Sequence, residues 1–165
     1  MILKLSLDLP EEIEYIRLTR VLGKSTLECM NVILTDIEDV ETILSELTSN
    51  VVRHAHSIDG RYGLVLEYYA TKLVIIVKDK GRGFSAADES KKPEERKGLH
   101  GEVRLGGYGL KIVQGLSDRL QFTQSDRNGT TVRAVKLLSY NSSDDAAFAN
   151  KLNAGPCASP LTVSI

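Results

Sequence analysis

Apolar residues hold every odd position in the run Leu3-Lys4-Leu5-Ser6-Leu7-Asp8-Leu9. That strict alternation predicts a strand with one buried face. Pro10 is expected to close it and to open a helix, with Glu11 and Glu12 in the first turn, where the macrodipole favours acids. Ile13, Ile16 and Val21 then recur at helical spacing toward Cys29. A second helix is expected from Asp36, read as its N-cap with Asp39 three residues on. Its apolar stripe is Val40, Ile43, Leu44, Leu47 and Val51.

Two strand-like runs follow, at residues 63–69 and 73–77, and then a charged, poorly periodic stretch at 85–104. A stretch of that kind reads as a long loop, and loops this long in a compact domain commonly act as lids. A helix is expected over 108–116, then strands at 120–124 and 131–138 around the turn signal Asn128-Gly129. The fold class expected from this order is a two-layer α/β (α+β) sandwich, a mixed but mostly antiparallel sheet with helices on one face. Residues 1–139 would form the domain. Residues 140–165, rich in Asn, Ser, Asp and Ala, read as a weakly ordered tail.

Composition narrows the function classes. A net charge of −1 gives no global field toward nucleic acid or an anionic membrane. No apolar run reaches the roughly 18 residues a membrane helix needs, and no basic-then-apolar leader is present. Cys29 and Cys157 match no metal or redox spacing, which suits reduced thiols in a cytoplasmic protein.

Three segments could carry chemistry. In the first, Glu46, Asn50 and His54 are spaced by four, so they stack along one side of the second helix, beside its buried stripe. An amide oxygen such as that of Asn50 suits Mg²⁺ held mainly by phosphates and water, and Glu46 could accept a proton. In the second, Asp79-Lys80-Gly81-Arg82-Gly83 follows an apolar strand. Its acid could accept a hydrogen bond from an exocyclic amine, while the glycines let a flat ring approach the backbone. In the third, Gly106-Gly107-Tyr108-Gly109-Leu110 opens a helix, where free N–H groups favour phosphate. Thr130, entering the last strand, could reach a base. Each segment by itself also reads as a solvated helix face, a strand-ending turn or a hinge.

Together and in this order, the segments resemble the GHKL superfamily of ATP-binding domains, with residues 46–55 as N-box, 79–83 as G1 box and 106–110 as G2 box. The resemblance covers residues 3–138 and implies the Bergerat fold, with ATP and Mg²⁺ as cofactors. It makes Glu46 the general base and Asn50 the Mg²⁺ ligand, with His54 on the same row. Asp79 would read the adenine amine beside Gly81 and Gly83, with Thr130 supporting the adenine pocket. Gly106, Gly107, Tyr108, Gly109 and Leu110 would hold the phosphates, helped by the lid with its Lys97 and Arg104.

Within the superfamily the chain looks like the bacterial anti-sigma factor and serine-protein kinase branch. That likeness implies a serine/threonine protein kinase whose substrate is a STAS-domain anti-sigma factor antagonist. Many members also sequester a sigma factor, and members are often dimers, although no dimer face is legible here. Two alternatives stay open: an ATP-binding sequestering module without kinase activity, and a histidine-kinase catalytic domain acting in trans.

Overall fold

Alternating leucines place β1 (Leu3–Pro10) with Leu7 and Leu9 buried and Asp8 in solvent. The computed structural model describes residues 1–81, 96–97, 103–104, 108–124, 129–141 and 161–164. After β1 come α1 (Ile13–Cys29), α2 (Leu34–His54), β2 (Arg61–Tyr68) and β3 (Lys72–Asp79). The chain continues with β4 (Arg96–Lys97), β5 (Val103–Arg104), α3 (Gly109–Leu116), β6 (Arg119–Gln124), β7 (Thr130–Leu137) and β8 (Leu161–Ser164). The main sheet has the order β6-β7-β3-β2-β1-β8. All its pairings are antiparallel except β1 with β8, which is parallel. The expected two-layer sandwich is therefore the observed one.

One core joins sheet and helices. Val40, Ile43, Leu44, Leu47 and Val51 of α2 are all buried, as their spacing predicts, against Leu64, Leu66, Leu73 and Ile75 of the sheet. Thr48 and Ser49 are buried too, because their hydroxyls donate to the Leu44 and Glu46 carbonyls and leave no polar hydrogen stranded. α1 turns Thr19, Gly23 and Leu27 inward. A Cβ at Gly23 would run into Leu44, so this glycine sets how closely α1 lies on α2. Ile13 and Val21 are left 68% and 50% exposed on the outer side of α1, which matters for the groove described below.

Three boundaries differ from expectation. Pro10 stays in the β ladder opposite Arg61, and α1 starts only at Ile13 with Glu12 as N-cap. Glu11 is thus held outside the helix, its N–H donating to the Gly60 carbonyl. α2 starts two residues before Asp36, with Ile33 as N-cap. The Asp36 carboxylate is instead engaged with the Ser139 N–H at 2.7 Å and near Lys136, so it ties the helix start to the end of β7 rather than capping α2. Within the span read as a lid, β4 and β5 pair antiparallel. Inside the span read as a tail, Leu161 and Val163 stand opposite Leu3 and Leu5 of β1.

Candidate functional site

The long helix α2 organises the site because three other segments meet it along its length. Glu46 and Asn50 sit half-buried on the row next to the apolar stripe. Against them lies the start of α3. A Cβ on Gly109 would lie against the Glu46 carboxylate and 3.8 Å from the Asn50 amide nitrogen, so any side chain there would push the carboxylate aside. Val113 is fully buried and Leu110 packs against the core, which pins α3 with its first turn toward α2. Among the described residues no side chain caps that turn. The first N–H groups of a helix have no partner within it, and they remain available there to an anion.

At the C-terminal end of α2, Gly81 lies flat on Ala55, whose carbonyl oxygen occupies the place a Cβ would need. Asp79 ends β3 beside it. Its Oδ1 accepts the Gly81 N–H at 2.9 Å and the Thr130 N–H at 3.3 Å, which locks the turn and ties β3 to the start of β7. Its Oδ2 has no hydrogen-bond partner among the described residues. Glu46 and Ala55 are nine positions apart, about 13 Å along a helix. The structure thus makes one cleft edge with an acid and an amide at one end and a fixed, half-buried carboxylate at the other.

The remaining expected residues fall as follows. His54, the last residue of α2, is exposed and has no hydrogen bond among the described residues. Tyr108 is the N-cap of α3, 41% exposed, with the Lys111 ammonium over its ring. Thr130 contributes its backbone N–H to Asp79, a role the sequence reading, centred on its hydroxyl, does not contain. Gly83, Gly106 and Gly107, and the side chains of Lys97 and Arg104, lie outside the described residues. Lys80 is taken up in a surface pair with Asp59 at 2.6 Å, which raises the pKa of the lysine and lowers that of the acid.

Glu46 has a second neighbourhood. An open groove of about 490 Å³ runs between α1 and α2, lined by Ile13, Ile16, Arg17 and Val21 on one side and by Glu46 and Arg53 on the other. The same carboxylate therefore borders both the α3 approach and this groove.

The histidine kinase-like ATPase domain family matches residues 9–136, a span that holds every element from α1 to β6 and all of the cleft. The chain belongs to that family. It is 30% identical over 141 residues to the serine-protein kinase RsbW of Bacillus licheniformis, covering 82% of this chain and 86% of that protein. The RsbW of Halalkalibacterium halodurans is 26% identical over 143 residues, with 86% and 87% covered. These relatives place the chain in the serine-protein kinase branch. Among solved structures, the RsbU and RsbW domains of a Mycobacterium tuberculosis protein superpose with a TM-score of 0.61 at 18% identity. That match covers 84% of this chain and 33% of the longer one. The SiaB–SiaC complex from Pseudomonas aeruginosa gives 0.57 at 16% identity, with 79% of this chain and 87% of that chain covered. Both likenesses speak for the fold.

ATP use comes with the family, and the residues present fit it. The unpartnered Oδ2 of Asp79 is an acceptor for an amine. The start of α3, uncapped among the described residues, offers donors to phosphate at the other end. Among the described residues no helix is long and apolar enough to cross a membrane.

Proposed function

We propose that the chain is an ATP- and Mg²⁺-dependent serine/threonine protein kinase of the cytoplasm. Its substrate is a STAS-domain anti-sigma factor antagonist, and phosphorylation switches partners so that a sigma factor is held or released. The observation that carries this reading is the double exposure of Glu46, to the start of α3 on one side and to the α1–α2 groove on the other. A serine-bearing segment of the partner seated in that groove brings its hydroxyl to the carboxylate. The apolar walls at Ile13 and Val21 suit a protein surface, and Arg17 and Arg53 suit acidic residues on it.

ATP with Mg²⁺, when bound, supplies the phosphoryl group and neutralises its charge. The chain's own residues position and move a proton. Glu46 would withdraw it from the serine hydroxyl as that oxygen bonds to the γ-phosphorus and the bond to the β–γ bridging oxygen breaks, with ADP leaving. The Asn50 amide oxygen would hold the metal. Asp79 Oδ2 takes the hydrogen bond of the adenine amine, and Gly81, seated against Ala55, holds the turn that carries it close to α2. The N–H groups at Gly109 and Leu110 face the phosphates, with Gly106 and Gly107 preceding them in the chain.

Incubation with labelled ATP and a STAS-domain antagonist tests the proposal. Acid-stable phosphoserine or phosphothreonine on the antagonist is the expected product. A stable complex without transfer would instead make the chain a sequestering module, and acid-labile phosphate on a partner would make it a histidine kinase acting in trans.

A further inference from the structure

Behind Asp79 stands a second layer of polar contacts that the resemblance does not include. Glu11, left outside α1 by Pro10, grips the loop after α2 at two points. Its carboxylate accepts the Ser57 N–H on both oxygens at 3.2 Å, and its own N–H donates to the Gly60 carbonyl at 2.8 Å. Ser57 is only 9% exposed, and Gly60 closes the loop by donating back to the Ser57 carbonyl at 3.0 Å. The loop in turn grips Lys80. The Ser57 Oγ accepts the Lys80 N–H at 3.2 Å, and Asp59 holds the Lys80 ammonium. Lys80 is the residue between Asp79 and Gly81. The turn carrying both is therefore fixed from one side by Ser57 and Ala55, and from the other by Gly129, where a Cβ would come 2.6 Å from the Asp79 carbonyl oxygen.

We propose that Glu11 and Ser57 are positioning residues for base recognition: through Lys80 they hold Asp79 at the angle that selects a purine bearing an exocyclic amine. The proposal rests on the reading of Asp79 as the acceptor for that amine. Ser57 touches no nucleotide in this arrangement and acts through the Lys80 backbone. Without its hydroxyl the Lys80 N–H loses its acceptor, the turn gains freedom, and Asp79 Oδ2 loses its direction. Glu11 acts one step further back by keeping Ser57 in place.

The test is calorimetric titration of the full chain with ATP and with inosine triphosphate, which carries a carbonyl where adenine carries the amine. The wild type should prefer ATP. Ser57→Ala should weaken ATP binding by about three- to tenfold, the range expected for one lost hydrogen bond. It should leave inosine triphosphate binding unchanged, so the ratio between the two falls. Ser57→Thr, which keeps a hydroxyl, should restore the ratio, and Glu11→Gln, which keeps one acceptor oxygen, should lie between. Should Ser57→Ala prove too unstable to titrate, Glu11→Gln supplies the same ratio. A wild type that binds both nucleotides equally would overturn the reading of Asp79. A wild type that discriminates, with variants that lose affinity for both nucleotides by the same factor and so keep the wild-type ratio, would overturn the positioning role alone.

Discussion

Replacing Tyr62 by Phe should make the protein more resistant to alkali without weakening it near neutrality. Tyr62 stands opposite Asp79 in the β2–β3 ladder and is 1% exposed. Its hydroxyl has no hydrogen-bond partner among the described residues. Burial, reinforced by the charge of Glu11, pushes its pKa up to about 12. Tyr68 is also raised to about 12 by burial, against a small opposing effect of the Thr26 hydroxyl, which falls short of a hydrogen bond to it. A phenol that loses its proton near 10 when unfolded and near 12 when folded keeps the proton more tightly in the native state. Stability is then full below pH 10 and falls as the pH rises from 10 to 12. Each tyrosine carries roughly 2.5 kcal/mol of that loss, so the pair should remove about 5 kcal/mol across the window. Tyr62→Phe deletes one of the two and also a buried, unsatisfied hydroxyl. The variant should equal or exceed wild type at pH 8, by up to about 1 kcal/mol, and should lose only about half as much by pH 12. Urea unfolding at pH 8, 10 and 11.5 reads both quantities. A variant that is clearly weaker at pH 8, or that shows the wild-type slope with pH, would refute the argument, since either result means the hydroxyl has a partner.

Further outcomes follow from the cleft. Glu46→Gln should keep ATP affinity within about threefold and lower phosphotransfer by roughly 10²–10⁴, the usual worth of a general base, as read in single-turnover assays; unchanged transfer would remove Glu46 from the chemistry. Asn50→Ala should abolish the part of nucleotide affinity that depends on Mg²⁺, seen by calorimetry with and without chelator; an affinity that does not change with chelator in either protein would refute it. Gly109→Ala adds a methyl against the Glu46 carboxylate, although alanine favours helices by about 1 kcal/mol over glycine. It should therefore reduce transfer and nucleotide binding with little change in melting temperature, whereas a variant as active as wild type would show that α3 does not need this close approach.

Much of the fold was legible because it follows from periodicity. The β1 leucines and the α2 stripe each read directly from neighbours in the chain; the stripe, Leu7 and Leu9 are buried as read, and Leu3 and Leu5 are partly buried. The boundaries that differed depend on contacts with distant residues. Nothing near Glu11 announces that Ser57, forty-six positions away, will supply its partner, and nothing near Asp36 points to Ser139. The site divides in the same way. Its three segments were visible as local motifs, since glycines and spaced polar residues mark them. What each glycine faces was not visible, because it is the Ala55 backbone for Gly81 and the Glu46 carboxylate for Gly109. Ser57 sits in a run, His56-Ser57-Ile58-Asp59, whose only local signal is that of a turn. The groove also escaped: Ile13 and Val21 have the spacing of a buried face, and only packing shows that α1 uses Thr19, Gly23 and Leu27 instead.

The pairing of β8 with β1 joins the two ends of the chain at one sheet edge, Leu3 beside Leu161 and Leu5 beside Val163. Contacts between such distant positions carry a larger loop-closure cost than those between neighbouring strands, and β8 pairs on one side only. The amides along the outer side of β1 should accordingly exchange with solvent sooner than those of β3 at the sheet's centre. A chain cut before Leu161 would present the β1 backbone as an open template, the condition under which exposed strands recruit one another into aggregates.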